Sequence, residues 1–159
     1  MASDVDAISK NILSEANSIA ISADKAYRIH SHTSKHFSDA NLALGTTNVI
    51  LAAIAASTQL KNLSVNPLLI GMMCLVVAVI TAIIAFWKID AKARDHYHAG
   101  IGYRAIKDDA MHFMNIEAKL GGSIDEKVKK LEGLSRRMQE QNLNSPLIPW
   151  VSRMLIGSA

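Results

Sequence analysis

The chain is poor in the residues that build disulfide-bonded or turn-rich folds. Its 159 residues include one cysteine, three prolines and only 5% aromatic residues. A single cysteine, Cys74, excludes an intrachain disulfide and a cysteine-based metal site within one chain. Because half of the residues are hydrophobic and proline is scarce, we predict a single all-α domain covering residues 1–159.

Charge is missing from a long central stretch. Between Asp39 and Lys88 the only charged residue is Lys61, which separates two apolar segments, 42–60 and 65–87. Each segment is close to the roughly 20 helical residues that cross a bilayer core of about 30 Å. A charge at the centre of such a helix costs at least about 2.5 kcal/mol. The sequence therefore predicts two transmembrane helices, with the lipid bilayer as partner.

The connector and the flanking charges predict the topology of these helices. Because the connector is short, the two spans must run antiparallel as a hairpin, and Pro67 fits the first turn of the second helix. Basic residues gather outside the spans, at Lys25, Arg28 and Lys35 before the first and at Lys88, Lys92 and Arg94 after the second. The positive-inside rule then places both termini in the cytoplasm.

Polar and small residues are spaced along the predicted spans. Polar side chains inside a membrane need a partner or a wet cavity, so those of the first span are candidates to line a multi-subunit pore. They are Thr47, Asn48, Ser57, Thr58 and Gln59, with Asn48 the leading candidate. Small residues at helical spacing let helices approach closely, which predicts packing of the hairpin or of a homo-oligomer. They include Gly45, Ala52, Gly71, Ala78 and Ala85.

A polar segment precedes the first span, and we name it the first arm (1–40). No proline lies between Ser3 and Gln59, so the first arm can run into the first span as one long helix. Its apolar or small positions step by three or four residues, which predicts one buried face. They are Val5, Ile8, Ile12, Ala16, Ile19, Ala23 and Tyr27, and His30 continues the same spacing eleven residues after Ile19.

The region 88–142 predicts two further cytoplasmic helices. Gly121-Gly122 ends the first of them, and a capping box at Ser123 and Glu126 opens the second. The first of these helices should bury one face against the first arm. Its predicted inward residues are Tyr97, Tyr103, Ile106, Ala110, Phe113 and Met114. The tail, 143–159, is apolar and either lies on the membrane or caps the bundle.

Three histidines are candidate ligands for a metal ion. His32 and His36 share a helix face, and a hairpin turn at residue 64 places them near the height of His96, with Asp95 or His98 as further ligands. The alternatives are hydrogen bonding within the bundle, or protonation that tunes the bundle near neutral pH. We find no phosphate loop, nucleophile elbow or HExxH motif, and we therefore expect no enzyme and no cofactor. The net charge of +3 is interspersed, so no nucleic acid is expected.

This order of elements, with the run ARDHYHAGIGYRAI at residues 93–106, resembles the SLATT family. These are bacterial two-transmembrane effector domains associated with SMODS nucleotidyltransferases and SLOG sensors. The resemblance covers roughly residues 1–140, and its specific part is the small-residue run followed by Tyr103-Arg104. It implies an antiphage, abortive-infection effector that forms a homo-oligomeric pore in the bacterial inner membrane when a signal arrives.

The resemblance also implies partners. A nucleotide second messenger or a sensor protein from the same locus would bind the cytoplasmic helices, and the candidate signal-binding residues are Arg94, Tyr103, Arg104 and Lys107. A different class of function fits the same helices. The chain would then be a non-conducting membrane anchor or scaffold that recruits a soluble partner. A holin-like lysis protein is the third alternative.

Overall fold

A computed structural model describes residues 2–60, 66–119 and 122–149, with the side chains of 2–5 and 58–60 outside the description. All regular structure in these ranges is helical, which confirms the predicted all-α class. The elements are α1 (Ala2–Leu60), α2 (Pro67–Trp87), α3 (Ile89–His112), a π-helical turn (Phe113–Glu117) and α4 (Ile124–Asn144).

Helix α1 joins the first arm to the first apolar segment without a break, as predicted. Its interior contains no proline, so no backbone donor is missing from the hydrogen-bond ladder. Its one glycine, Gly45, is tolerated at a modest cost in helix propensity. The connector after α1, with the predicted turn at residue 64, lies outside the described residues.

Local signals set the ends of α2. Pro67 stands in the first turn, and the Asn66 side chain caps the helix by accepting a hydrogen bond from the Leu68 backbone N–H at 2.9 Å. At the other end Lys88 adopts a left-handed conformation with φ of 44°. Helix α3 begins at the next residue, Ile89. The predicted second span, 65–87, therefore matches α2 to within two residues.

The region after α3 differs from the prediction in one respect. The helix was expected to run to Gly121-Gly122, but it widens into the π turn and its last helical residue is Glu117. The Ala118 N–H donates to the Phe113 carbonyl at 2.9 Å, five residues back. The capping box at α4 is confirmed, because Ser123 and Glu126 exchange side-chain-to-backbone bonds of 3.1 and 3.2 Å.

The chain divides into two compact units. We name Met1–Thr33 with Asp95–Ala159 the bundle unit, and Ser34–Arg94 the apolar unit. The core of the bundle unit is built by α1, α3, the π turn and α4. Its buried members are Ile12, Ala16, Ile19, Ala20, Ala23, Ile106, Ala110, Phe113 and Leu134. This confirms the central part of the predicted stripe on the first arm, although Ile8 is exposed and the Val5 side chain lies outside the described residues.

On α3, the predicted inward face is mostly confirmed. Tyr103, Ile106, Ala110 and Phe113 are buried and Met114 is partly buried. Tyr97, however, is 57% exposed, so its prediction as an inward residue is wrong. The buried neighbour is His96, and one residue along an α-helix turns the side chain by about 100°.

In the apolar unit, α2 has no buried residue. Both α1 and the helical stretch that begins with α2 are long and apolar enough to cross a membrane by length and composition, with mean hydropathy of 1.4 and 2.9 over their most apolar windows. The half-buried positions of α2 recur every three or four residues. They are Ile70, Met73, Val77, Ile80 and Ile84.

The predicted small-residue contacts are absent within one chain. Gly71, Ala78 and Ala85 on α2 and Ala52 on α1 are exposed. A Cβ added at Gly45 or at Gly71 would meet nothing within 4 Å. On α2 the branched residues one position earlier take the half-buried face instead, whereas the small residue Ala55 on α1 is buried. Packing of a homo-oligomer stays a prediction.

Candidate functional site

Two buried histidines meet inside the bundle unit. His30 on α1 and His96 on α3 are 1% and 3% exposed, and their Nδ1 atoms lie 2.9 Å apart. At this distance one ring donates a proton and the other accepts it, since two Nδ1 lone pairs or two N–H groups would repel. The geometry therefore describes a hydrogen-bonded pair in which the accepting ring is neutral.

The histidine pair belongs to a network that links three helices. The ring of Tyr103 stacks on His30 with centroids 5.4 Å apart, and its hydroxyl donates to Oδ1 of Asn142 on α4 at 2.8 Å. The neighbouring Gln141 donates from Nε2 to the carbonyl of Ala99 at 3.2 Å. Of two glycines on α3 beside this network, only Gly102 is needed for the approach. A Cβ at Gly102 would lie only 2.5 Å from Gln141 Nε2, while one at Gly100 would touch His30 at an ordinary 3.7 Å.

Burial sets the protonation of the pair. Desolvation, helped by the neighbouring His96, lowers the pKa of His30 to about 4. Burial also lowers the pKa of His96, while the carboxylate of Asp95 acts in the opposite direction. At neutral pH both rings are therefore uncharged, and the Nδ1–H of one donates to the Nδ1 of the other.

The predicted histidine cluster has different members. His32 and His36 are both exposed, and the side chain that contacts His96 is that of His30. The predicted position along α1, close to His96, was nearly right. However, His32 and His36 lie on the side of α1 that faces away from α3. The eleven-residue spacing that continues to His30 was the signal that identifies the inward histidine. Among the residues that the structure describes, no group of three or more His, Cys, Asp or Glu side chains is placed to hold a metal ion.

The predicted signal-binding residues are not equally accessible. Tyr103 is buried in the network, so its assignment to a surface that receives a signal is wrong. Arg94 forms an ion pair with Asp90, one turn earlier on α3. Arg104 lies 3.9 Å from Asp108, and its guanidinium stands 6.0 Å from the ring centroid of Tyr27.

Lys107 lines a groove of about 500 Å³ in the bundle unit. Its ammonium group donates to Asp24 at 2.8 Å across α1 and α3, and this hydrogen bond is the main reason why the pKa of Asp24 is lowered. Ile21 and Met111 border the same groove with exposed side chains. The Lys107 side chain is 31% exposed, and Asp24 also accepts a hydrogen bond from Nε of Arg28 at 2.8 Å, so two cations share one carboxylate at the groove.

Asn48 makes the polar contact between the two apolar helices. Its Nδ2 donates to Oγ1 of Thr81 on α2 at 2.9 Å, and the Thr81 hydroxyl donates to the Val77 carbonyl at 2.8 Å. The Asn48 Oδ1 atom is buried and has no hydrogen-bond partner. Within one chain, this oxygen therefore lacks the hydrogen-bond donor that a buried polar atom normally has.

The other predicted pore-lining residues are placed differently. Thr47 is exposed, and the Ser57 hydroxyl donates to the carbonyl of Ile54 at 2.9 Å within its own helix. The side chains of Thr58 and Gln59 lie outside the described residues. Asn48 is therefore the candidate that joins the two helices.

No family model matches this chain, and no curated protein or solved structure matches it. The functional argument consequently depends on the geometry of the two polar networks.

The two networks have different chemical capacities. The histidine pair can accept protons. One proton can bind Nε2 of the donor ring and leave the hydrogen bond intact, whereas protonation of both rings removes it, because both Nδ1 atoms are then donors. The Asn48 carbonyl oxygen has a free lone pair, so it can accept a hydrogen bond from water or from another chain. The Asn48 amide nitrogen can then exchange its bond to Thr81 for a bond to the same new partner. The first change would act on helix packing in the bundle unit and the second on the contact of α1 with α2.

Proposed function

We propose that the chain is a two-pass protein of the bacterial inner membrane and a pore-forming effector of the abortive-infection type. Its apolar segments in α1 and α2 form a transmembrane hairpin, and both termini lie in the cytoplasm. The single observation that carries the proposal is the buried, unpaired Oδ1 of Asn48 between two helices of apolar composition. The assignment to the SLATT family, suggested by the run 93–106, is part of this proposal.

Two hydrogen bonds within the apolar unit support the antiparallel hairpin. Ser34 Oγ donates to the Ala93 carbonyl at 2.8 Å, and Asn48 Nδ2 donates to Thr81 Oγ1 at 2.9 Å. The residue number rises from 34 to 48 on α1 while the partner number falls from 93 to 81. Such a pattern is the one that antiparallel neighbours make.

The cost of an unpaired carbonyl supports the pore. A buried polar group without a partner costs about 1–3 kcal/mol, and hydrocarbon offers no water to meet its need. Assembly of several copies around a wet cavity would give Asn48 Oδ1 a water molecule or a donor from another chain. The exposed Thr47 hydroxyl is the neighbouring group that such a cavity would include. The closed state keeps the Asn48–Thr81 bond, and the open state exchanges it.

The bundle unit would receive the signal. A phosphate-bearing second messenger, or an acidic surface of a sensor protein, would compete with Asp24 for Lys107 in the groove, because both offer anionic oxygens. Such a ligand shifts the equilibrium only if it binds the open arrangement better than the closed one. Release of Lys107 from Asp24 separates α1 from α3 at that point and supplies this difference.

One observation favours the anchor or scaffold function as a second candidate. The cations predicted to meet a signal already have carboxylate partners on the same chain, at Asp24, Asp90 and Asp108. A bundle whose charges are paired and whose core is closed is suited to present a constant surface to a soluble partner. This function needs no rearrangement of Asn48.

Inducible expression in a bacterial host with a membrane-potential dye separates these functions. The chain is expressed alone and beside the neighbouring genes of its native locus, with Asn48→Leu and the lipid-facing control Val49→Leu compared at equal membrane levels. We expect depolarisation that Asn48→Leu abolishes and Val49→Leu preserves. An intact potential under every condition, with all variants inserted, would favour the anchor. Equal depolarisation by both variants would remove Asn48 from the pore.

A further inference from the structure

The C-terminal end of α4 carries leucines that the bundle core does not use. Leu143 is 79% exposed and Leu147 is 92% exposed, whereas Leu134 on the same helix is buried in the core. The end of the helix is nevertheless fixed in place. Asn142 accepts the Tyr103 hydroxyl and Gln141 donates to the Ala99 carbonyl, so the exposure of these leucines is a property of a held segment.

The position of this segment along α3 gives it a neighbour. Asn144 and Pro146 line one polar cavity of about 370 Å³ together with Asp95 and His98. Asp95 is the seventh residue of α3, and α3 begins directly after the apolar helix α2. At about 1.5 Å per residue, Asp95 lies about 9 Å along its helix from Ile89. Asp95 therefore follows Trp87, the last residue of α2, by only eight residues in the chain.

Tyr97, two residues after Asp95, adds an exposed aromatic ring. It lies next to His98, with ring centroids 5.9 Å apart in an edge-on arrangement. Tyrosine is enriched at membrane interfaces because the ring prefers the apolar side and the hydroxyl prefers water. The adjoining run 88–94 contains three cations, Lys88, Lys92 and Arg94, and one acid, Asp90, which pairs with Arg94. Its net positive charge complements the negative charge of a cytoplasmic leaflet. The exposure of Tyr97, which contradicts its predicted inward position, is thus consistent with contact to lipid.

We propose that the segment 143–149 and Tyr97, together named the interfacial patch, dock on the anionic lipid surface of the cytoplasmic leaflet. This inference rests on the proposed two-pass topology. The other role considered for the tail, capping the bundle, does not suit Leu143 and Leu147, because a capping leucine would be covered by the helices rather than exposed, whereas Ile148 and Pro149 are half-buried. Docking would hold the end of α4, and through it the Tyr103–His30 contact, at a fixed height above the membrane.

Fluorescence quenching in proteoliposomes tests the patch with the full chain. In a Cys74→Ala background, single cysteines are introduced as Leu147→Cys, Glu132→Cys and Val79→Cys and labelled with an environment-sensitive fluorophore. Glu132 is exposed on α4 away from the patch, and Val79 lies in the middle of α2. The vesicles contain phosphatidylglycerol and phosphatidylethanolamine with or without a lipid that carries a spin label near its headgroup.

We expect the shallow spin label to quench the probe at residue 147 at least threefold more than the probe at residue 132. Replacing phosphatidylglycerol by a neutral lipid should reduce that quenching. Quenching at residue 79 without quenching at residue 147 would overturn the interfacial patch and leave the membrane topology standing. A probe at residue 147 that is shielded from water but unquenched would mean that protein, such as a second copy, covers the segment, and would overturn lipid docking. A lack of quenching at residue 79 with both shallow and deep spin labels would reject the two-pass topology itself.

Discussion

The bundle unit and the apolar unit place their side chains in opposite environments. In the bundle unit, α1, α3 and α4 enclose a core in which Phe113 is 1% exposed, and its buried histidines bond to each other. In the apolar unit, α2 has no buried residue, and Phe86 is 88% exposed. The buried Asn48 Oδ1 there has no partner. The bundle unit therefore buries apolar side chains within one chain, whereas α2 of the apolar unit leaves its side chains exposed or half-buried.

Truncation of phenylalanine should give the largest contrast between the units. Phe113→Ala is expected to lower the free energy of unfolding by about 3–5 kcal/mol, because it leaves a cavity in the core. Phe86→Ala removes the same atoms from an exposed position and should change it by less than about 0.5 kcal/mol. Thermal and denaturant unfolding in detergent, followed by circular dichroism, provides the measurement. Equal losses of stability for the two variants would contradict the distinction between a bundle unit with a buried core and an apolar unit with exposed side chains.

Acid should destabilise the bundle unit through the histidine pair. The pKa of His30 is about 4 in the fold and near 6.5 when unfolded, so the unfolded chain binds a proton first as the pH falls. The stability contributed by the neutral ring is present above pH 6.5 and is lost progressively down to pH 4. Denaturant midpoints measured across this range should fall, and His30→Gln should flatten the slope whatever its stability at neutral pH. The exposed control His36→Gln should leave the slope unchanged, and a parallel flattening in it would remove the pair as the cause.

Two glycines test how closely the helices of the bundle unit approach. A Cβ at Gly133 on α4 meets nothing within 4 Å, so Gly133→Ala should raise stability by about 0.5–1 kcal/mol through helix propensity alone. Gly102→Ala gains the same propensity but must displace the Gln141 side chain from the Ala99 carbonyl, at a cost of about 1 kcal/mol. Chemical denaturation should therefore separate the two variants by about 1 kcal/mol. Identical gains would mean that Gln141 contributes nothing to the contact.

The smallest effect on stability is expected in the apolar unit. Gly71→Leu adds a side chain where nothing lies within 4 Å, so unfolding in detergent should shift by less than about 0.5 kcal/mol. Crosslinking in native membranes should nevertheless show fewer oligomers if the exposed small residues of α2 pack between copies. The control Val79→Leu changes an exposed position that is already large, and its oligomers should persist. Unchanged crosslinking of Gly71→Leu would remove this face as the interface.

The features that depend on short stretches of sequence were predictable. A cap and a proline define the start of α2, and a reciprocal capping box defines the start of α4. The absence of proline predicts the length of α1. The three- and four-residue steps from Ile12 to Ala23 identify the buried face of α1 because each step returns to the same side of a helix. These signals are local, and each needs only a few residues to be recognised.

Face assignments in the longer helices were less predictable. The sequence placed Tyr97 inward on α3 and offered His32 and His36 as partners of His96, but the partner is His30, which the eleven-residue spacing had placed on the buried face of α1. Small residues on α2 were expected at the contact that larger ones occupy. Apart from His36, each of these predictions is displaced by one or two residues along the helix. Such a displacement rotates the side chain about the helix axis by about 100° or 200°. Which histidines pair depends on the heights and rotations of two separate helices, and periodicity within one helix does not determine either.

The unpaired carbonyl of Asn48 was predictable only in part. Its residue type in an apolar stretch marks a polar group that needs a partner, and this was the leading pore candidate. The bond to Thr81 depends on the register of α1 against α2, which the sequence approximates through the position of the connector. The Thr81 hydroxyl donates to the Val77 carbonyl, so it can only accept a hydrogen bond from Asn48. The Asn48 amide therefore uses its nitrogen for this bond and leaves its oxygen unpaired.

The π turn at Phe113–Glu117 has a consequence for how the length of this chain can vary. A π turn holds one residue more than an α turn over the same hydrogen-bonded stretch, as the bond from Ala118 to the Phe113 carbonyl shows. Deleting one residue here would restore the α ladder while leaving every core position up to Phe113 in phase. Only the final turn before the loop would rotate. In a family of related chains, a one-residue gap is therefore expected within these five positions before it appears elsewhere in α3.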